Sequence, residues 1–144
     1  MGEYNNLPVI RRGAPGDLAE VAALQQVSRE AAQWSVSDYL QYDFRVAVEG
    51  QRIAGFLVAR RVAADESELL NLAVCPELRR KGVARALVTA LLADAAGSVY
   101  LEVRESNAAA RAFYKSMGFQ EVSVRSTYYE DPPEPAIVMK FHSC

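Results

Sequence analysis

The run Leu69-Leu70-Asn71-Leu72-Ala73-Val74 leads through Pro76 into a basic stretch, Arg79-Arg80-Lys81-Gly82-Val83-Ala84. The first run is apolar enough to predict a buried strand, and Pro76 ends that strand because proline cannot donate to a sheet. Beyond the glycine, apolar residues recur at the spacing of an amphipathic helix, at Ala84, Leu87, Val88, Leu91 and Leu92. The sequence therefore predicts a strand, a glycine-containing turn and a helix in this order.

The turn in front of this helix combines several features of an anion-binding site. Gly82 lets the backbone turn tightly and approach a ligand closely. The free N–H groups of the first helical turn point at an anion, helped by the positive end of the helix dipole. Positive side-chain charge is added by Arg79, Arg80, Lys81 and Arg85. Because neither a G-x-G-x-x-G fingerprint nor a P-loop is present, the turn predicts a different pyrophosphate cradle. A solvated basic helix start is the alternative.

A second segment favours the cradle. Residues 101–119 read L-E-V-R-E-S-N-A-A-A-R-A-F-Y-K-S-M-G-F. Together with the R-x-x-G-x-A pattern of the basic turn, this segment resembles the GNAT superfamily of N-acetyltransferases, whose acetyl-CoA-binding motif is R/Q-x-x-G-x-G/A. More narrowly, L-E-V-R-x-S-N-A-A-A, Tyr128-Tyr129 and residues 136–139 resemble the RimI branch, the ribosomal-protein-alanine N-acetyltransferases. The resemblance runs from Ile10 to Met139 and so covers nearly the whole chain.

The resemblance implies a fold and a cosubstrate. The fold is the α/β (α+β) GNAT fold, with a mixed twisted β-sheet splayed between its fourth and fifth strands and flanked by helices on both faces. The cosubstrate is acetyl-CoA, and no metal is expected. The hydrophobic patterns agree with a layered α/β architecture. They predict strands at 7–12, 44–48, 53–62, 69–74, 99–104, 119–125 and 136–141, and helices at 82–95 and 107–117, with further helix from Asp17 and near residues 35–40.

Composition limits the class of protein. A chain of 144 residues is expected to form one domain, residues 1–144, with its own hydrophobic core. The net charge of −2 gives no sign of nucleic-acid binding, and no apolar run of membrane-spanning length is found. Cys75 and Cys144 lie in no metal or redox spacing, so a reduced, cytoplasmic protein is expected.

Glu102 is the first candidate for a catalytic residue. Alternation along the predicted strand puts Val99, Leu101 and Val103 on one face and Glu102 on the other. A carboxylate in an apolar strand is costly unless it faces a cleft or a partner. Acetylation of an amine needs a base, because an ammonium group has no lone pair, and an α-amine titrates near pH ~8. The resemblance implies this base role for Glu102; a surface glutamate is the alternative.

Tyr114 is the second candidate, seven residues beyond Asn107 on the predicted helix. The resemblance implies that Tyr114 is the general acid. A phenol is still protonated at neutral pH and can donate to the departing CoA thiolate. The alternative is a core aromatic residue at helical spacing with Ala110 and Met117. Between the two neighbouring aromatic residues, Phe113 is expected to lie in the core and Tyr114 to be catalytic.

Three further residues are expected to contact the cosubstrate. Asn107 opens the helix, where asparagine is a favoured cap, and the resemblance implies that its amide also contacts the CoA arm. Leu72 and Val74 are implied to act through their backbone groups, which bind pantetheine like an added strand at a bulge. Backbone amides near Val74 are then suited to stabilising an oxyanion.

For the acceptor, the sequence directs attention to two predicted loops. Trp34, followed by Ser35, lies in the break after the first helix, and Tyr128-Tyr129 begins a proline-containing loop before the last strand. Loops carry binding groups in such folds, and the resemblance implies that these two flank a peptide N-terminus. The acidic residues Glu130, Asp131 and Glu134 can steer a basic peptide, although a solvated turn explains them as well.

The chain departs from the family pattern at three positions. Cys75 and Pro135 stand where aspartate is common, and Gln33 stands where proline is common. Cys75 raises the alternative of an acyl-enzyme, but no spacing pairs it with the single histidine, His142. The changes at Gln33 and Pro135 fall on the acceptor side and so bear on the substrate.

The leading hypothesis is therefore an acetyl-CoA-dependent N-acetyltransferase, in which the amine attacks the thioester directly in a ternary complex. The expected acceptor is a protein N-terminal α-amine, with ribosomal protein S18 as the specific expectation for this branch. Acetylation of a small-molecule amine and a non-catalytic acyl-CoA-binding module are the alternatives. Retention of both Glu102 and Tyr114 argues against the module. We expect a monomer or homodimer that binds neither nucleic acid nor membrane.

Overall fold

The computed structural model describes residues 8–28, 31–79, 82–130 and 132–142. Its strands are β1 (Val9–Arg12), β2 (Asp43–Glu49), β3 (Arg52–Ala63), β4 (Glu66–Val74), β5 (Ser98–Arg104), β6 (Gln120–Glu130) and β7 (Pro133–His142). Its α-helices are α1 (Leu18–Val27), α2 (Val83–Asp94) and α3 (Ala108–Ser116). Short 3-10 helices lie at Pro15–Asp17, Val36–Gln41 and Pro76–Leu78.

One compact unit contains the chain up to Arg60 together with Leu69–Asp94. In it, β1 pairs antiparallel with β2, β2 pairs antiparallel with β3, and β4 neighbours β3. Gly55 of β3 determines how closely α2 packs, because a Cβ at this position would lie 2.8 Å from the Ala73 carbonyl oxygen and 3.0 Å from Val83. The absence of a side chain at Gly55 thus brings the first turn of α2 close to the end of β4.

The second compact unit contains Arg61–Glu68 and the chain from Ala95 onward. Here the start of β4 pairs parallel with β5 through three residue pairs, which join residues 66–68 to residues 98–100. β7 pairs antiparallel with both β5 and β6, so that β7 lies between them. The core of this unit includes Val99, Leu101, Val103, Phe119 and Met139.

The mixture of parallel and antiparallel pairs with helices confirms the expected fold class, and the short β4–β5 ladder corresponds to the expected splay. Most predicted elements agree with the structure to within a few residues. The largest difference concerns Tyr128-Tyr129, which lie within β6 and not in a loop. In the part of the chain that the structure describes, no helix is long and apolar enough to cross a membrane.

Candidate active site

The predicted cradle lies at the start of α2. Gly82 has φ +85°, a left-handed conformation that favours glycine, and the position where a Cβ would stand is open. The Ala86 N–H donates to the Gly82 carbonyl oxygen over 2.9 Å, so regular helical bonding starts there. The N–H groups of Val83, Ala84 and Arg85 therefore precede the first helical bond and can donate to an anion.

Two of the basic side chains of this cradle lie within the described residues. Arg79 follows the Pro76–Leu78 3-10 helix, Arg85 lies in the first turn of α2, and both are exposed. Arg80 and Lys81, which the sequence also assigned to the cradle, lie outside the described residues. Buried Val83 and half-buried Ala84 attach the first turn of the helix to the sheet, so their contribution to a ligand would come from the backbone.

The strand β4 offers backbone groups on the edge away from β3. The Cys75 N–H donates to the Ala54 carbonyl oxygen of β3 over 2.7 Å. Because backbone groups alternate in direction along a strand, those of Leu72 and Val74 point to the opposite edge. The Leu72 N–H is 3.1 Å from Oδ1 of Asn71 and donates to it. Of the two predicted amides, that of Val74 is thus the better placed to bind a ligand.

Cys75 has the surroundings of an inert thiol. Its Sγ donates to Glu77 over 2.7 Å and lies 2.8 Å from Nη2 of Arg52. Burial raises the pKa of the Cys75 thiol, and the hydrogen bond with Glu77 raises it further. Since a thiolate is the nucleophilic form of cysteine, these contacts argue against the acyl-enzyme alternative.

Asn107 occupies the N-cap position of α3, as predicted. Its Oδ1 accepts a hydrogen bond of 3.1 Å from the Ala110 N–H. The residue is half-buried, and its side-chain amide nitrogen is a remaining donor. Capping and contact with a ligand are therefore compatible at this position.

Tyr114 is more deeply buried than its neighbour Phe113, which reverses the expectation that Phe113 is the core residue. Only 6% of Tyr114 is exposed, and its ring packs edge-on against Phe113 and Phe119. Burial raises the pKa of the phenol above its ordinary value. The hydroxyl is therefore protonated at neutral pH and is a donor.

Glu102 lies on the half-buried face of β5, as the alternation predicted. Val99, Leu101 and Val103 are buried on the other face, while the side chain of Glu102 is 16% exposed. Its Oε2 accepts a hydrogen bond of 2.8 Å from Nη1 of Arg125 on β6. Glu102 is thus a partly accessible carboxylate with a charged partner.

Tyr128 and Tyr129 lie next to this carboxylate because β6 is irregular. Arg125 pairs with Ala136 and Tyr129 pairs with Glu134, so four steps along β6 match two along β7. The two tyrosine rings are 5.1 Å apart, and neighbouring side chains do not point to opposite faces as in a regular strand. Burial, and next the negative charge of Glu102, raise the pKa of both tyrosines.

Cations cover both rings. The Arg125 guanidinium lies 4.2 Å from the centre of the Tyr128 ring, and that of Arg104 lies 4.3 Å from the centre of the Tyr129 ring. Such contacts hold aromatic rings in fixed positions. Glu68, which the sequence reasoning did not consider, contributes negative charge near Arg125 and Tyr128. Its position at the start of an apolar strand was the signal available in the sequence.

The acidic residues of the predicted loop have different roles. Glu134 binds Arg104 over 3.1 Å, and the Ser106 N–H and hydroxyl each donate to it over 3.0 Å. Although burial opposes it, these hydrogen bonds lower the pKa of Glu134. Glu134 therefore connects β7 to the turn before α3 and is not part of a solvated turn. Glu130 is exposed, and Asp131 lies outside the described residues.

Trp34 lies between α1 and the Val36–Gln41 3-10 helix, as predicted, and 46% of it is exposed. Its carbonyl oxygen accepts a hydrogen bond of 2.6 Å from Nε2 of Gln25. Gln33, the departure from proline, donates to the Gln25 carbonyl oxygen over 2.7 Å and so closes the end of α1. The backbone of Trp34 is therefore held while its ring faces solvent.

Residues 18–119 match the family model described as the acetyltransferase (GNAT) family, so the chain belongs to this family. It is an acetyl-CoA-dependent N-acetyltransferase, and acetyl-CoA is its cosubstrate. This confirms the superfamily, the fold and the class of enzyme indicated by the sequence.

One relative and two solved structures are similar to this chain over two thirds or more of its length. The chain is 40% identical over 103 residues to ribosomal protein bS18-alanine N-acetyltransferase of Escherichia coli K12. The aligned region covers 67% of this chain and 68% of the relative. The crystal structure of the E. coli ribosomal-protein-S18-alanine N-acetyltransferase matches with a TM-score of 0.83 and 32% identity over 94% of both chains. Chaetomium thermophilum Naa20, solved with a bisubstrate analogue, matches with a TM-score of 0.85 and 29% identity over 93% of this chain and 86% of that chain.

Proposed function

We propose that this enzyme acetylates the N-terminal α-amine of a protein, and that the amine attacks the acetyl thioester directly while both substrates are bound. The observation that carries the proposal is the cluster around Glu102, in which a partly exposed carboxylate adjoins Tyr128 and Tyr129. Carboxylate charge and aromatic rings suit a substrate that arrives as an ammonium group. The E. coli relative, 40% identical to this chain, is a ribosomal protein bS18-alanine N-acetyltransferase, which supports a protein acceptor here.

Glu102 is the proposed general base. An α-amine is mostly protonated below pH ~8, so a base must remove a proton before the nitrogen can attack. Glu102 can receive this proton directly or through one water molecule. The Arg125 guanidinium donates to Oε2, and the Tyr128 hydroxyl is a second hydrogen-bond partner of the carboxylate, so two side chains hold the proposed base in place.

Tyr114 is the proposed general acid. Its raised pKa keeps the phenol protonated throughout the neutral range, so a donor is present in every turnover. The edge-on contacts with Phe113 and Phe119 fix the ring and therefore the position of the hydroxyl oxygen. The hydroxyl can then donate to the sulfur atom as the thiolate leaves.

Acetyl-CoA supplies the activated acetyl group, and the chain offers two sets of backbone donors to hold it. The pyrophosphate is proposed to bind the backbone N–H groups of the first turn of α2 at Val83 and Ala84, beside the open position at Gly82, with Arg85 adding positive charge. Arg79, Arg80 and Lys81 add positive charge. The pantetheine arm is proposed to bind backbone groups of Leu72 and Val74 on the edge of β4 away from β3, chiefly the Val74 N–H, and the side chain of Asn107.

Trp34, Tyr128 and Tyr129 are the proposed contacts of the acceptor. Trp34 and Tyr128 are exposed and Tyr129 is half-buried, and aromatic rings of this kind are suited to packing against the side chains of a peptide. Ribosomal protein S18 is the proposed physiological acceptor, and a cytoplasmic location follows from that choice.

The proposal is tested with two peptides and purified enzyme. One peptide has a free N-terminal alanine followed by basic residues, and the other has the same sequence with a blocked N-terminus and an internal lysine. Release of free thiol from acetyl-CoA with only the first peptide supports the proposal. Release with only the lysine peptide contradicts it, and release with neither but with a small amine favours the small-molecule alternative.

Replacing Tyr129 with phenylalanine tests the acceptor site. The ring and its contact with Arg104 remain, and only the hydroxyl is lost. We expect the KM for the peptide to rise about fivefold to tenfold, the effect of one hydrogen bond, while the affinity for CoA stays the same. Tyr42→Phe, which changes an exposed tyrosine outside the cluster, is the control. An unchanged peptide KM in Tyr129→Phe would remove this hydroxyl from the acceptor site.

A further inference from the structure

Asn71 is an amide in the middle of the apolar strand β4, and 4% of it is exposed. Its Oδ1 accepts hydrogen bonds of 3.1 Å from the N–H groups of Ala32 and Leu72. Its Nδ2 lies 3.0 Å from the Ala32 carbonyl oxygen, 3.1 Å from the Tyr39 hydroxyl and 3.2 Å from Oε1 of Gln25. A single side chain thus binds both backbone groups of Ala32, as a neighbouring strand would.

Gln25 of α1 completes the network. Its Nε2 donates to the Trp34 carbonyl oxygen, and its Oε1 accepts from the Tyr39 hydroxyl and from Asn71. Consequently the segment 31–35, called here the Trp34 segment, is held at two points along its backbone. Asn71 holds Ala32, and Gln25 holds Trp34.

We propose that Asn71 is a positioning residue for the acceptor site, which acts by holding the Trp34 segment against β4. This inference rests on the proposed function, because Trp34 is there a contact of the acceptor. The segment forms no strand or helix. Side chains therefore provide the hydrogen-bond partners that its backbone groups would find in the ladder of a β-sheet. The same Asn71 binds the Leu72 N–H on the edge proposed for pantetheine. One side chain therefore relates the segment that contacts the acceptor to the strand that contacts the cosubstrate.

The side-chain amide of Asn71 has no unused hydrogen-bond donor or acceptor. Both lone pairs of Oδ1 and both protons of Nδ2 are used within the network. Asn71→Asp keeps the size of the side chain and the bonds accepted by Oδ1, but it replaces the donor with an oxygen. That oxygen would face the Ala32 carbonyl and Oε1 of Gln25, neither of which can donate. If the Gln25 amide turns over to compensate, its donor leaves the Trp34 carbonyl oxygen.

The experiment combines steady-state kinetics with the fluorescence of Trp34, the single tryptophan of the sequence. For Asn71→Asp we expect the KM for the free-alanine peptide to rise about tenfold, equivalent to one or two lost hydrogen bonds. The KM for acetyl-CoA should stay the same. Acrylamide should quench Trp34 more strongly, because a released segment exposes its ring more often.

A second variant and a control separate positioning from general loss of stability. Gln25→Met removes the other bond of the segment and should have the same two effects even if a carboxylate at position 71 prevents folding. Val21→Ala truncates a fully buried side chain of the same helix without touching the network. It should lower the melting temperature but leave the peptide KM and the quenching at wild-type values.

The proposal is overturned if folded Asn71→Asp and Gln25→Met keep wild-type peptide KM and quenching, or if Val21→Ala reproduces their effects. It is also overturned if the KM for acetyl-CoA rises in parallel, since Asn71 would then act on β4 alone. If the wild-type enzyme acetylates no peptide, the proposed function fails. The quenching of Trp34 then still supports or contradicts the positioning of the segment by Asn71.

Discussion

Replacing Gly82 with aspartate is expected to raise the dissociation constant for CoA by about 100-fold or more, which corresponds to roughly 3 kcal/mol. Three effects act in the same direction. A carboxylate enters the space that the pyrophosphate is proposed to occupy, it repels the phosphates, and it opposes the positive end of α2. The position of the new Cβ is open, but the φ of +85° strains any L side chain there, so some loss of stability is expected along with the loss of CoA binding. Calorimetric titration with CoA measures the effect, and thermal unfolding checks the fold.

Gly82→Asn is the matched control for the backbone. Asparagine and aspartate have the same shape, and both tolerate left-handed backbone better than other side chains do. The difference between the two variants therefore isolates the charge. A donor without a pyrophosphate, acetyl-pantetheine, should react at the same rate with Gly82→Asp and with the wild type. Undiminished CoA affinity in the aspartate variant would mean that this turn does not bind the pyrophosphate.

Replacing Glu102 with glutamine is expected to lower kcat by about 100-fold or more near neutral pH, the usual contribution of a general base. The loss should shrink as the pH rises. Above the pKa of the α-amine, near pH ~8, the amine loses its proton to solvent and needs the carboxylate less. Affinity for CoA should hardly change. The pH profile of kcat/KM for the peptide, with purified wild type and variant, measures this difference.

Arg125→Gln distinguishes the base from the ion pair. Glutamine at position 102 also removes the charge partner of Arg125, whose guanidinium covers the Tyr128 ring. If proton removal is the role of Glu102, Arg125→Gln should keep the wild-type pH dependence even if its KM changes. A loss in Glu102→Gln that is the same at every pH, and that Arg125→Gln reproduces, would assign Glu102 a structural role instead.

Much of this architecture can be predicted from the sequence, because the deciding signals are local. Pro76 follows the end of β4, and Gly82 precedes the start of α2. Both elements form where the apolar periodicity places them. The alternation around Glu102 predicts its half-buried face correctly. Asn107 caps α3 as its residue type suggests.

The errors arise where tertiary contacts override local patterns. Helical spacing alone does not distinguish Phe113 from Tyr114, and the burial of Tyr114 results from packing against Phe119, which follows the helix. The placement of Tyr128 and Tyr129 in β6 depends on pairing with β7 and on a bulge that no local signal marks. The contacts of Asn71 with residues about forty positions earlier in the chain are equally invisible to a local reading. The single polar side chain in the otherwise apolar run 69–74 was nevertheless a usable signal.

The bulge in β6 has a consequence for how the acceptor preference can evolve. The two surplus residues between Arg125 and Tyr129 turn both tyrosine rings toward Glu102. Removing two residues would restore a regular ladder and send one of the rings to the opposite face of the sheet. The length of β6 therefore decides whether both rings can lie beside Glu102 in the proposed acceptor site. Lineages that exchange one acceptor for another are expected to differ here by short insertions and deletions, while the backbone donors at Gly82 and Val74 stay unaltered.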